Sequence, residues 1–160
     1  MKLFPTRFYK IELNDSSQFL NELKLNSLPR DIFVTSWNKQ MFIGEVTSDE
    51  FRLMISYRIL GLYCEFHGRV EKNKTNLIHV EVNPNKYFRM FFKVVLICIF
   101  LIAIFQIINN QLEAFLALSI HILIIRLVYI ELGFRFFLKI GLKKFKKING
   151  LKSIKKVSKV

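Results

Sequence analysis

The feature that most restricts this chain is an uncharged apolar run, VVLICIFLIAIFQII, from Val94 to Ile108. Met90, Phe91, Phe92 and a snorkelling Lys93 extend it at the N-terminal side. As a helix rising ~1.5 Å per residue it reaches about 28 Å, close to the roughly 30 Å hydrocarbon core of a bilayer. A second apolar run follows the polar break Asn109-Asn110-Gln111, from Leu112 to Phe137, interrupted by Glu113, His121, Arg126, Glu131 and Arg135. In a chain of 160 residues, two adjacent long apolar helices leave little else to cover them. The pattern therefore predicts a transmembrane helical hairpin over 89–134, with helices over about 90–108 and 112–134.

The second span is the more strained, since a charge at the bilayer centre costs about 3 kcal/mol on insertion scales. Arg126 lies near enough to the predicted inner edge to snorkel. Gln106, His121 and Arg126 are the intramembrane polar residues, and such groups are functional suspects, His121 having a packed neutral ring as its plainer reading. If the hairpin folds about Leu112, Lys93 and Glu131 come to equal depth. An interhelical ion pair between them is one expectation, and separate snorkelling into the headgroups is the other.

Charge sets the orientation. The formal net charge is +13, and the stretch from Arg135 to Val160 holds ten cations and no acid. Lys86, Arg89 and Lys93 flank the first span, while the connecting loop has no cation, so the positive-inside rule places both termini in the cytoplasm of a cell (inner) membrane protein. The start of the chain lacks the apolar core and small-residue cleavage site of a signal peptide, so the N-terminal domain is not expected to be exported. Over 135–160 the sequence GFRFFLKIGLKKFKKING, beginning at Gly133, interleaves Phe137, Ile140, Phe145 and Ile148 with cations. It predicts a basic amphipathic helix on the inner leaflet, with Arg135, Lys139, Lys143, Lys144, Lys146 and Lys147 toward anionic headgroups and a solvated tail after Gly150.

Residues 1–88 predict a cytosolic α+β domain of one helix and four or five mostly antiparallel strands. A strand falls near Phe8–Leu13. Asn14-Asp15-Ser16-Ser17 then offers caps for a helix through Leu25, whose apolar side is Phe19, Leu20, Leu23 and Leu25. Possible strands follow near Ile32–Trp37 and Met41–Val46. Pairing Phe42, Gly44 and Val46 with Phe51, Leu53, Ile55 and Tyr57 requires an even-numbered turn, either the two-residue Ser48-Asp49 or a four-residue one. In the next hairpin, from Tyr63 to Val82, setting His67 opposite Glu81 avoids a Glu65–Glu81 like-charge pair and leaves a loop from Lys72 to Asn76.

The strings MFIGEVTSDEFRLMISYR and FHGRVEKNKTNLIHVEV together resemble a loose family of small bacterial membrane proteins, in which a paired-hairpin domain precedes two membrane helices. The resemblance implies that architecture and a bacterial inner-membrane location, and implies no activity.

No catalytic, cofactor-binding or metal site is expected. His67 and His79 fall diagonally on the outward face of one hairpin, without a third and fourth ligand at metal spacing. Phosphate-loop, nucleophile-elbow and HExxH patterns are missing. Trp37 reads more simply as a packing residue than as a ligand anchor. The leading expectation is a non-enzymatic, membrane-anchored interaction or scaffold module, with the lipid bilayer and a protein partner or a second copy as partners. The alternatives are a small oligomeric transport or channel subunit and an immunity or regulatory protein against a membrane-active toxin. Nucleic acid is not an expected partner, because the lysine tail lacks a stacking platform.

Overall fold

The structure is a computed structural model that describes residues 4–28, 40–56, 61, 63–71, 74–108 and 112–158. Strand β1 (Arg7–Leu13) alternates as expected, with Tyr9, Ile11 and Leu13 buried. Asp15 caps α1 (Ser16–Leu25), its carboxylate accepting the backbone N–H groups of Ser17 and Gln18 at 2.8 and 3.2 Å. Such a cap is worth about 1 kcal/mol. Phe19, Leu20 and Leu23 are buried as expected, whereas Leu25 points out at the helix end, 71% exposed.

Five more strands complete the part of the domain that precedes the apolar helices: β2 (Ser27–Leu28), β3 (Phe42–Val46), β4 (Glu50–Ile55), β5 (Glu65–Glu71) and β6 (Lys74–Asn83). β3 and β4 pair with Val46 opposite Phe51 and Phe42 opposite Ile55, around the Ser48-Asp49 turn. β5 and β6 adopt the register that sets His67 opposite Glu81. That pairing ends in an irregularity after Val70, and β6 already begins at Lys74, so the connection is shorter than the expected Lys72–Asn76 loop. Trp37, Tyr57 and the strand expected near Ile32–Trp37 lie outside the described residues.

The C-terminal region departs most from expectation. Helix α4 (Gly133–Phe145) does not lie on a leaflet with its apolar side in lipid. Phe134, Phe137, Leu138, Phe145 and the following Ile148 are buried in the same core as Phe19, Leu53 and Phe66. At about 1.5–3 kcal/mol for each large apolar side chain removed from water, this face is a principal stabiliser of the domain. Gly141 permits the close approach: a Cβ there would come within 2.3 Å of the Phe66 ring. After Gly150, at φ +86°, the segment expected to be a solvated tail forms strand β7 (Leu151–Val157), antiparallel to β1. One helix cannot cover a sheet this wide, and the uncovered apolar face explains why the C-terminal segment is recruited to it.

The result is a seven-stranded sheet in the order β2-β3-β4-β5-β6-β1-β7, antiparallel throughout except for β2 and β3. Strands from both ends of the chain share this sheet, so the domain is not confined to 1–88. The apolar helices leave it after β6 and the chain returns to it at α4.

Helix α2 (Lys86–Ile108) is 23 residues and the one described helix long and apolar enough to cross a membrane. Its length is about 34 Å. Only 11% of its most apolar window is buried, unlike a core helix of a soluble protein. It packs against α3 (Leu112–Ile124), whose 13 residues cover about 20 Å. A π-helical stretch (Ile125–Leu132) then runs without a cap into α4. The expected second helix over 112–134 is thus split. By itself its α-helical part falls short of a span, and the two-span hairpin is not established by length and apolarity.

Candidate functional site

The helices α1 and α4 cover one face of the sheet, and among the described residues no element covers the other. Alternation sends the polar side chains to this open face. The registers then line them up across strands: Glu45, Arg52, His67, Glu81 and Phe8 form one row, and Glu50, Arg69, His79, Lys10 and Lys155 the next. All of these but Lys10 and Lys155 line, together with Thr47 and Val157, a groove of about 820 Å³. Both signs of charge are present and interleaved, with Arg69 donating to Glu50 at 3.1 Å and Lys155 to Glu12 at 2.9 Å. These pairs are exposed, and exposed pairs are worth well under about 1 kcal/mol each. Their contribution is to surface pattern rather than to stability.

One carboxylate on this face is not exposed. The Glu65 side chain is 4% accessible. It accepts from Arg52 Nε at 2.7 Å and from Asn85 Nδ2 at 3.1 Å, with His67 Nε2 3.7 Å away. Burial, the largest single influence, pushes its pKa up, but the His67 ring and the Arg52 guanidinium together outweigh it and hold the carboxyl at about 2. Asn85 is fully buried and also caps α2, its Oδ1 accepting the Tyr87 backbone N–H at 2.9 Å. The start of the membrane-type helix is therefore tied by one side chain to a buried carboxylate of the sheet. The sequence Asn83-Pro84-Asn85 before an apolar run is a capping signal, but the Glu65 partner was not visible in it.

A second charged centre sits where α4 meets β1. Glu131 Oε1 accepts from Arg7 at 3.0 Å and from Arg135 at 2.8 Å, and Arg126 approaches Oε2 at 3.7 Å. The expected Lys93–Glu131 pair does not form. Lys93 is exposed and makes no ion pair among the described residues, while three guanidinium groups stand around Glu131. The equal-depth construction considered only the two apolar helices, and Arg7 arrives from the sheet. Arg126 and Glu131 are five residues apart, a spacing that the i→i+5 winding of the π-helix stacks on one side.

The structure distributes the other sequence candidates unevenly. Lys139, Lys143, Lys146 and Lys147 are exposed, as is Arg135. Lys144 is not lipid-facing: it folds in to donate to the Met41 carbonyl at 3.0 Å, and burial lowers its pKa. Gln106 Oε1 is buried without a hydrogen-bond partner among the described residues, and His121 is exposed on α3. His79 meets Glu71 at 3.1 Å. Among the described residues no three His, Cys, Asp or Glu side chains are grouped to hold a metal ion. Cys64 is buried, its thiol directed at the Phe134 carbonyl at 3.5 Å and its pKa pushed up by burial, while Cys98 is exposed on α2. Comparison with known proteins finds no matching family model, no matching curated protein and no matching solved structure.

Proposed function

We infer that this chain is a non-enzymatic, membrane-anchored interaction module that holds the open face of its sheet at the membrane surface for a protein partner. The observation that supports this reading most is the pairing of β7 with β1. If α2 crosses the bilayer, a single crossing would strand α4 and β7 on the far side from the sheet they complete. The chain must then return through α3 and the π-helical stretch, and both termini lie on one side. The exposed apolar side chains of α2 and α3, among them Phe100, Leu101, Phe105, Ile120 and Leu123, suit contact with lipid or with a second copy. The cationic flanks and the resemblance to small bacterial membrane proteins favour the cytoplasmic side of an inner membrane.

The groove across six strands has mixed charge and ordered cross-strand rows, which suit a protein surface better than a small apolar ligand. The test is site-specific photocrosslinking in intact cells. A crosslinker at Arg69, on the open face, is expected to capture a discrete protein species that the same crosslinker at Lys139, on the helical side, does not. Capture independent of face, or turnover of a substrate bound in the groove, would contradict the reading.

A further inference from the structure

The charges around Glu131 do not balance. Arg7 and Arg135 both bond the one Glu131 carboxylate, which Arg126 also approaches, so two guanidinium groups share a single counter-charge at the junction where the chain leaves the apolar helices for the sheet. The three arginines come from three elements, β1, the π-helical stretch and α4, so the cluster is built by the fold and not by a run of basic sequence. Its geometry also leaves donors over. A guanidinium has five N–H groups in a planar fork. Arg7 contacts Glu131 through Nη2 alone and Arg135 through Nε alone, and neither has another hydrogen-bond or ion-pair partner among the described residues. Glu131 thus acts as a spacer that holds guanidinium groups side by side, with side-chain accessibilities of 31% for Arg7 and 61% for Arg135.

We propose that this cluster is a binding site for a lipid phosphodiester, with Arg7 and Arg135 as its principal ligands and Glu131 as the positioning residue. The proposal rests on the membrane reading above, because it is that reading which puts the cluster at headgroup depth. Planar donors matched to tetrahedral phosphate oxygens supply the chemistry, and the excess charge selects an anionic lipid over a zwitterionic one. The neighbouring apolar surface suits an acyl chain: Leu127, Val128, Leu132 and Phe136, on the segment that carries Arg126, Glu131 and Arg135, are all exposed. Free inorganic phosphate shares the headgroup's charge but has nothing to place there.

The experiment uses the full chain expressed in membranes, extracted in mild detergent and analysed by native mass spectrometry for co-purifying phospholipid. Resistance of the same membranes to an alkaline carbonate wash is scored in parallel. The parent chain is expected to retain a phosphatidylglycerol-type lipid in preference to phosphatidylcholine. Arg135→Gln, at an exposed position, should weaken retention about tenfold, the loss of one or two charge-assisted hydrogen bonds, and Arg7→Gln should do at least as much. Arg135→Lys, which keeps the charge but not the fork, should recover only part of it, whereas Lys139→Gln should leave retention unchanged. Equal retention by Arg135→Gln and the parent, with carbonate resistance intact, overturns the lipid site alone. Displacement of the lipid by inorganic phosphate at comparable concentration overturns its assignment to lipid. Release of the parent by carbonate overturns the membrane reading and this proposal with it.

Discussion

Phe145 offers the sharpest test of the fold, because a leaflet-bound helix and a helix packed on the sheet demand opposite behaviour from it. Its side chain is fully buried, and its ring lies 4.6 Å from Phe42, 5.6 Å from Phe51 and 5.2 Å from Phe66, joining α4 to three strands. Truncation to alanine in such a site costs about 3–5 kcal/mol, from lost transfer energy and the cavity left behind. Aromatic contacts add about 0.5–1.5 kcal/mol per pair, which places Phe145→Ala toward the upper end. Cys64 supplies the readout. It is buried in the same core, and its raised pKa makes the thiol unreactive until the domain opens. In a Cys98→Ser background, labelling of Cys64 in the detergent-solubilised chain reports the opening equilibrium. A loss of about 4 kcal/mol should accelerate it by roughly three orders of magnitude, at about 1.4 kcal/mol per factor of ten. Phe136→Ala, at a position of the same helix that is 61% exposed, should change the rate by no more than a few-fold. Equal effects of the two substitutions, or a negligible effect of Phe145→Ala, would refute the packing of α4 on the sheet.

Two further outcomes follow from the same core and network. Ending the chain after Gly150 removes β7 and bares the β1 edge, so Cys64 labelling should rise and the purified protein should aggregate, visible by size-exclusion chromatography; a solvated tail would be dispensable. Glu65 has a folded-state pKa of about 2 against an ordinary 4.5, so its charge contributes stability above the ordinary value that is lost as pH falls toward 2. That contribution is about 3 kcal/mol by linkage, and Glu65→Gln should lower stability at neutral pH while flattening the acid limb of the Cys64-labelling profile between those values. An acid limb that keeps its shape in the variant would assign the loss to other groups.

How much of this was legible in the sequence depends on whether neighbours along the chain or across it set the outcome. Asp15 before an apolar-periodic stretch, the Ser48-Asp49 turn and the His67–Glu81 register are local decisions, governed by capping geometry and the avoidance of like charges, and the structure keeps all three. The place of the C-terminal segment was not legible because its lysines, Lys144 excepted, point outward under either reading. A basic amphipathic helix has the same pattern whether its apolar stripe meets lipid or a sheet, and only the width of that sheet decides. β7 was hidden for a related reason: Leu151, Ile154 and Val157 stand among lysines, and their partners Leu13, Ile11 and Phe8 lie at the other end of the chain. The arginine cluster escaped notice because its members are scattered from Arg7 to Arg135 and only the fold assembles them.

Single cysteines at Ser16, Glu113 and Ser158, in a background without Cys64 and Cys98, test the central claim that the chain goes through the membrane and comes back. With a membrane-impermeant maleimide, Glu113→Cys should be labelled in intact spheroplasts, and Ser16→Cys and Ser158→Cys only after permeabilisation. Labelling of Ser16→Cys and Ser158→Cys from opposite sides would contradict it.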